Sequence, residues 1–194
     1  MYKVIGAVRT RAFRVMWMLE ELCQDYEVVP ATPASDEARQ FNPLGKIPAL
    51  VDGDAVLTDS VAIMTYLGDK HGTLTAPAGT PDRAQQDALT LWLIDEFDAL
   101  LWTHAKHTRI LPDGVRVPQI EPGLHAEYTR SLAGLEARLT GDFLMGDKIT
   151  IPDLLATHCL GWGFSAGFPE MSAKVKDYSK RMRARPAFRA AGGR

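Results

Sequence analysis

"NPLGKIPALVDGDAVLTDSVAIMTYL", residues 42–67, is the stretch that decides the fold. Asn42-Pro43-Leu44-Gly45 is a turn sequence. Two short apolar runs follow, residues 48–51 and 55–57, split by Asp52-Gly53-Asp54. That spacing predicts a β-hairpin with the glycine in its tight turn. Thr58 or Asp59 then stands where a helix N-cap belongs, and a helical pattern runs to about Lys70, where His71-Gly72 stops it. A lysine, a proline that opens a strand and an Asp-Ser pair at a helix start all fall inside this one hairpin-to-helix unit.

Working upstream, residues 2–8, YKVIGAV, predict a short buried strand. Residues 12–23 predict a helix with Phe13, Met16, Trp17, Leu19 and Leu22 on its apolar face and Glu20 and Glu21 outside. Residues 26–29 read as a second strand, ended by Pro30 and Pro33, and Ser35 caps a short helix, DEARQF. The order β-α-β-α-β-β-α makes the first two strands a parallel pair, because a helix joins them, and the hairpin an antiparallel one. The expectation is a small mixed sheet covered by helices.

Downstream the texture changes. Residues 74–81, LTAPAGTP, read as a linker, and everything after them is helical. Thr80-Pro81 is an N-cap with proline in the first helical position. The helix that follows runs to Ile110, and Ala88, Leu91, Ile94, Phe97 (or Ala99) and Leu101 keep helical spacing along it. The loop LPDGVRVPQIEPG breaks the pattern, and further helices are predicted over about 124–139, 151–163 and 170–183, with a short last turn from Arg185-Pro186. Thr150-Ile151-Pro152-Asp153 has the parts of a capping box, and Ile149 and Leu154 stand at the positions of a hydrophobic staple. These four residues are read as structural, the start of a helix whose Leu154, Leu155, Cys159 and Leu160 form a core.

A net charge of -2 gives no argument for nucleic acid or an anionic membrane as partner. No apolar run approaches the roughly 18 residues of a spanning helix, and the amino-terminal residues lack the features of a signal peptide. The expected location is cytoplasmic. The two cysteines, Cys23 and Cys159, form no CxxC pair and lie at apolar helix positions. They are read as reduced core thiols rather than nucleophiles. No metal is expected.

The β/α-then-α order, with RAFRVMWMLEEL, the 42–67 motif and the TIPD box, resembles the glutathione transferase superfamily over essentially the whole chain. The 42–67 motif is the most specific part. The resemblance implies an α/β thioredoxin-like N-terminal domain that binds glutathione (residues 1–73), the linker at 74–81, and an all-α C-terminal domain (residues 82–194) that lines the site for an electrophile. It implies glutathione as co-substrate, a small hydrophobic electrophile as second substrate, and a homodimer.

Under this resemblance the opening stretch has a chemical reading. The γ-glutamyl end of glutathione is an amino-acid zwitterion. Its carboxylate suits the amides of a helix start together with the Ser60 hydroxyl. Its ammonium suits Asp59. The cysteinyl unit pairs with exposed backbone as an added strand does. The family has a cis bond before the residue matching Pro48, which turns the backbone of Ile47 towards the ligand. Lys46 suits the glycine carboxylate. Taken singly, each has a plainer role: Asp59-Ser60 as a helix cap, Lys46 as a solvated charge, Pro48 as an edge-strand feature.

The family's chemistry is thiolate activation. A free thiol has a pKa of about 8.5, and lowering it by about two units takes roughly 2.7 kcal/mol of differential stabilisation. One or two hydrogen bonds to the charged sulfur, at about 1.5 to 3 kcal/mol each, are enough. The family's donor, a Tyr, Ser or Cys, lies at the end of the first strand or in the loop after it. Here that segment is Ile5-Gly6-Ala7-Val8-Arg9-Thr10-Arg11, and Thr10 is its only hydroxyl. Thr10 is therefore the candidate donor, with Arg11 or backbone amides as the alternative; the plain reading of Thr10 is a cap of the first helix. Trp102, His104, Lys106 and His107 are candidates for lining the electrophile site, although helical spacing cannot put all four on one face. The leading function is glutathione transfer to electrophiles. The competing ones are a glutathione-dependent isomerase, dehalogenase or peroxidase on the same scaffold, or a non-catalytic transferase-like binding or regulatory protein.

Overall fold

Strand Tyr2–Gly6 (β1) leads into helix Ala12–Glu21 (α1), and strand Tyr26–Pro30 (β2) into helix Asp36–Phe41 (α2). The hairpin Ala49–Asp52 (β3) and Ala55–Thr58 (β4) feeds helix Ser60–His71 (α3). In this computed structural model, which describes residues 1–194, the four strands form one sheet in the order β2-β1-β3-β4. β1 and β2 are parallel; β1 with β3 and β3 with β4 are antiparallel. This is the mixed sheet the element order predicts. Asp52 pairs with Ala55 across the hairpin, and Gly53, at φ +59°, supplies the left-handed turn.

Two compact units make up the chain. The first is Met1–Ala78 together with Arg183–Arg194, and the second is Gly79–Met182. Sequence spacing assigns residues 82–194 to one helical domain, so the return of the last twelve residues to the first unit is a difference. Its cause lies on α1. Helix Pro186–Gly192 (α9) lays Phe188 edge-on against both Phe13 and Trp17, each with ring centroids 4.9 Å apart. Arg185 closes a fork on the Glu21 carboxylate at 2.6 and 2.8 Å, and Trp17 Nε1 donates to the same carboxylate at 2.9 Å. With α3 and β1 also packed on it, α1 is buried continuously from Ala12 to Leu19. It is a fully covered helix rather than a one-faced one, and Glu20 and Glu21 are engaged in ion pairs instead of standing in solvent.

In the second unit the helical run from Pro81 to Ile110 is continuous but not uniform. It consists of Pro81–Leu93 (α4), a π-helical turn at Ile94–Asp98, Ala99–Ala105 (α5) and a second π-helical turn at Lys106–Ile110. Its inward face is Leu89, Leu93, Phe97, Leu100 and Leu101, and Leu91 is 67% exposed. This departs from the stripe through Ala88 and Leu91 that periodicity suggests. Both stripes have helical spacing; the one that packs on helix Ile151–Ser165 (α7) is the buried one. Helix Glu121–Arg138 (α6) and, up to Met182, helix Ala173–Arg183 (α8) complete the unit.

Asp153 organises it. The carboxylate reaches back to the Thr150 amide at 2.9 Å, as the capping-box spacing predicts. It also accepts the Thr150 hydroxyl at 3.1 Å, the Leu144 amide at 2.9 Å and the Tyr178 hydroxyl at 2.8 Å, all with Asp153 fully buried. Burial pushes its pKa up, against the pull of these four donors.

Cys159 is buried, but Cys23 is exposed and not a core thiol. α1 ends at Glu21, and Cys23 turns the chain outward at φ +53°. Neither cysteine forms a disulfide. No helix is long and apolar enough to cross a membrane.

Candidate functional site

The strand register brings three chain segments together. Ile5 pairs with Ala49, and Ala49 pairs with Thr58. One step further along, the residues Gly6, Pro48 and Asp59 therefore lie in a row at one end of the sheet. Each begins a connection: from Gly6 to α1, from the 42–46 turn into β3, and from β4 into α3. A Cβ on Gly6 would stand 2.5 Å from the Ala12 Cβ, so only glycine lets the end of the first strand pass this closely to α1, while Ile47, at 3.6 Å, would be in ordinary contact. Antiparallel pairing thus brings Pro48 and Asp59, with their chain neighbours Ile47 and Ser60, to the end of the sheet at Gly6, from which the segment carrying Thr10 and Arg11 leads on to α1.

The 42–48 segment is braced. The Asn42 side chain accepts the Leu44 amide at 3.1 Å and donates to the Lys46 carbonyl at 3.1 Å. Gly45, at φ +63°, accepts the Ala34 amide at 2.8 Å. The Ile47–Pro48 peptide is cis, Pro48 is buried, and Lys46 extends into solvent.

At the start of α3, Asp59 has φ +70° and ψ 126°, a backbone conformation uncommon for a residue with a side chain. Its Oδ1 accepts the amides of Val61 at 2.8 Å and Ala62 at 3.2 Å. Asp59 is therefore the N-cap, with Thr58 the last strand residue, and its second carboxylate oxygen takes no part in capping. Ser60 is 3% exposed and does not cap the helix; its Oγ accepts a hydrogen bond from Arg14 Nη1 at 3.2 Å.

Arg14 escapes sequence reasoning. It stands in an apolar helix next to Phe13 and Val15, and periodicity carries no sign that a guanidinium there is fully buried. The only hint is a lone charge inside AFRVMWML, and such a residue is ordinarily solvated.

Thr10 closes a turn. Its hydroxyl donates to the Ala7 carbonyl at 2.6 Å and accepts the Ala12 amide at 3.2 Å. The hydroxyl proton is thus committed within the turn. Arg11 occupies the helix N-cap position without a side-chain cap.

The four residues of the long helical run lie in the second unit. Trp102, His104, Lys106 and His107 are half-buried. His104 Nε2 stands 3.4 Å from the Glu121 carboxylate, and His107 Nδ1 accepts the Val117 amide at 3.1 Å. Both histidines hold local structure. No group of three or more His, Cys, Asp or Glu side chains is placed to share a metal ion.

Comparison with known proteins agrees with this architecture. A family model of the glutathione S-transferase N-terminal domain matches residues 12–78, and one of the glutathione S-transferase C-terminal domain matches residues 123–186. Glutathione S-transferase 3 of Zea mays is 32% identical over 202 residues, covering 90% of this chain and 85% of the relative. Glutathione S-transferase theta-2 of Mus musculus is 32% identical over 162 residues, covering 76% of this chain. That match spans 65% of the mouse protein's length. Among solved structures, a glutathione transferase from Methylococcus capsulatus has the same fold, with a TM-score of 0.83 at 24% identity over 100% of this chain and 98% of that one. The chain belongs to the glutathione S-transferase family.

Proposed function

We propose that this protein binds glutathione at the sheet end described above and activates its thiol for addition to small hydrophobic electrophiles. The observation that carries the reading is Asp59. It is held at φ +70° with one carboxylate oxygen bound to its own helix start. A strained residue of this kind persists where the surroundings over-determine it, and such residues cluster at ligand sites. The other oxygen is then the partner for the γ-glutamyl ammonium, with the Ser60 hydroxyl and helix-start amides taking the carboxylate. Ile47 pairs with the cysteinyl unit, and Lys46 takes the glycine carboxylate. Family members from Xanthomonas axonopodis and Pseudomonas fluorescens, which share the fold, were solved with glutathione bound. Two cysteines outside any disulfide fit a cytoplasmic setting.

The test is calorimetry with glutathione. Asp59→Asn keeps a capping oxygen but removes the charge. Losing a charge-assisted bond of roughly 1.5 to 3 kcal/mol should weaken binding about tenfold or more. Unchanged affinity in a folded Asp59→Asn variant removes the assignment. The family's homodimeric habit is carried over as part of the proposal, and light scattering at micromolar concentration checks it: a monomer mass counts against it.

One observation favours a second reading. With the Thr10 proton held by Ala7, the activating donor is Thr10 after it turns from that carbonyl, or Arg11, or backbone amides. If none of these lowers the thiol pKa, the protein is a glutathione-binding or regulatory member of the family. The thiolate absorbance of bound glutathione against pH separates the two.

A further inference from the structure

Arg14 is fully buried on α1 among Phe13, Val15, Met16, Trp17 and Met18, which are buried as well. Taking a guanidinium out of water is costly, and such a group is retained where its hydrogen bonds are specific. One of its bonds crosses 46 residues of sequence, from Nη1 to the Ser60 Oγ at 3.2 Å. Capping does not require this. Asp59 already takes the Val61 and Ala62 amides of the twelve-residue α3, so the Ser60 hydroxyl is spare as far as the helix is concerned.

The bond has a directional consequence. A serine hydroxyl has one O–H donor and two acceptor lone pairs, and its hydrogen rotates to suit its neighbours. With a cation fixed on the acceptor side, the hydrogen is turned away from Arg14. The charge-assisted contact also polarises the O–H, which makes it a stronger donor to an anion. Arginine suits the task because its planar fork keeps direction and charge when buried, whereas a lysine ammonium is a mobile point charge whose pKa falls on burial.

We propose that Arg14 is a positioning residue for ligand binding: it aims and polarises the Ser60 hydroxyl, so that the start of α3 selects a carboxylate over its neutral isostere. The proposal rests on the glutathione reading above. It goes beyond it in assigning carboxylate selectivity to a residue that does not itself touch the ligand.

The experiment compares two probes by calorimetry: glutathione, and the analogue in which the γ-glutamyl α-carboxylate is a carboxamide. Wild-type protein is expected to prefer glutathione by roughly tenfold or more, the size of one charge-assisted bond. Arg14→Met should collapse that preference to about threefold or less, and the carboxamide's own affinity should move less than about twofold. In a Ser60→Ala background, Arg14→Met should change the preference no further, because the relay is already cut. If Arg14→Met lowers both affinities equally and leaves the preference intact, the residue is merely structural and the proposal is overturned. Full additivity with Ser60→Ala overturns it too. A wild-type protein that binds the two probes equally well refutes the carboxylate placement at Ser60 itself, and with it this inference. A wild-type preference that survives Arg14→Met refutes only the inference. Should Arg14→Met not fold, Arg14→Lys carries the same comparison. Its shorter reach to Ser60 should still lower the preference at least about threefold, and an undiminished preference sinks the proposal.

Discussion

Thr10 donates its hydroxyl proton to the carbonyl oxygen of Ala7 at 2.6 Å, and the same hydroxyl accepts the amide of Ala12 at 3.2 Å. The one side-chain hydroxyl in the loop before α1 is thus doing the work of a turn and a cap. To meet a thiolate it must exchange the Ala7 carbonyl for sulfur, and that exchange brings back part of what it loses because the sulfur is charged.

Substitution separates the two roles. Thr10→Val keeps the branched shape and removes the donor. It should lower stability by about 1 kcal/mol through the lost cap, whatever the catalytic role. If Thr10 also holds the thiolate, the bound thiol's pKa rises and turnover near pH 7 falls roughly tenfold for about 1.4 kcal/mol lost. Thr10→Ser should behave as wild type in both respects. Thiolate absorbance titrated against pH reads the chemistry directly. An unmoved titration in Thr10→Val, with a raised pKa in Arg11→Ala, transfers the role to Arg11.

Asp153 predicts a stability phenotype without a binding one. Asp153→Asn leaves donors among the Thr150 amide, the Leu144 amide and the Tyr178 hydroxyl facing an amide that can accept with only one oxygen. A buried donor left unmet costs about 1 to 3 kcal/mol, so the loss should reach that range or exceed it. Thr150→Ala should lose about 1 kcal/mol. Urea unfolding measures both. Normal stability combined with failed turnover in either variant would mean these residues act in the chemistry instead.

Gly163 admits no side chain. A Cβ there would stand 2.2 Å from the Tyr128 hydroxyl oxygen and 2.7 Å from its ring carbon. Tyr128 is hemmed in by Phe97 and Phe168, which meet it edge-on with centroids 5.2 and 4.8 Å away. Gly163→Ala should therefore destabilise by roughly 1 to 3 kcal/mol, the range for overpacking, despite alanine's better helix propensity. Thermal unfolding that shows a gain would refute the contact.

Acid should weaken the second unit through Glu96. The Ser131 hydroxyl, at 2.7 Å, and then Arg130 hold its carboxyl below the ordinary carboxylate value. A depressed folded pKa adds stability that is present above the unfolded value and is lost as pH falls through the folded one. Asp153 works in the opposite sense: its raised pKa makes ionisation cost stability as pH rises through the carboxylate range. Glu96→Gln should make urea midpoints between pH 3 and about 5 less sensitive to pH than in wild type, by the modest amount a partly exposed pair allows. Superimposable pH profiles would show that Glu96 contributes nothing.

The sequence by itself determined most of the features made by neighbours in the chain. The hairpin around Gly53, a cap at Thr58 or Asp59, the Gly72 stop, the Thr80-Pro81 helix start and the Thr150–Asp153 box are hydrogen bonds closed within a few residues, so residue type and spacing suffice to read them, with the structure choosing Asp59 for the cap. The division into a mixed α/β unit and a helical one was legible for the same reason. What only the tertiary structure decided depends on which surface covers which. Two stripes of the long helical run had the right period, and packing on α7 chose Leu89 and Leu93 over Ala88 and Leu91. The last twelve residues continue a helical pattern, but Phe188 and Arg185 find partners on α1 more than 160 residues away in sequence. Arg14 looks like a solvated charge until α3, β1 and α9 close over its helix and leave it beside Ser60. The Thr10–Ala7 bond is local and still escaped the sequence, because residue type does not fix which of several nearby acceptors a hydroxyl takes. Most local hydrogen bonding is written in adjacent residues. Burial and long-range pairing are properties of surfaces that meet only after the chain has folded.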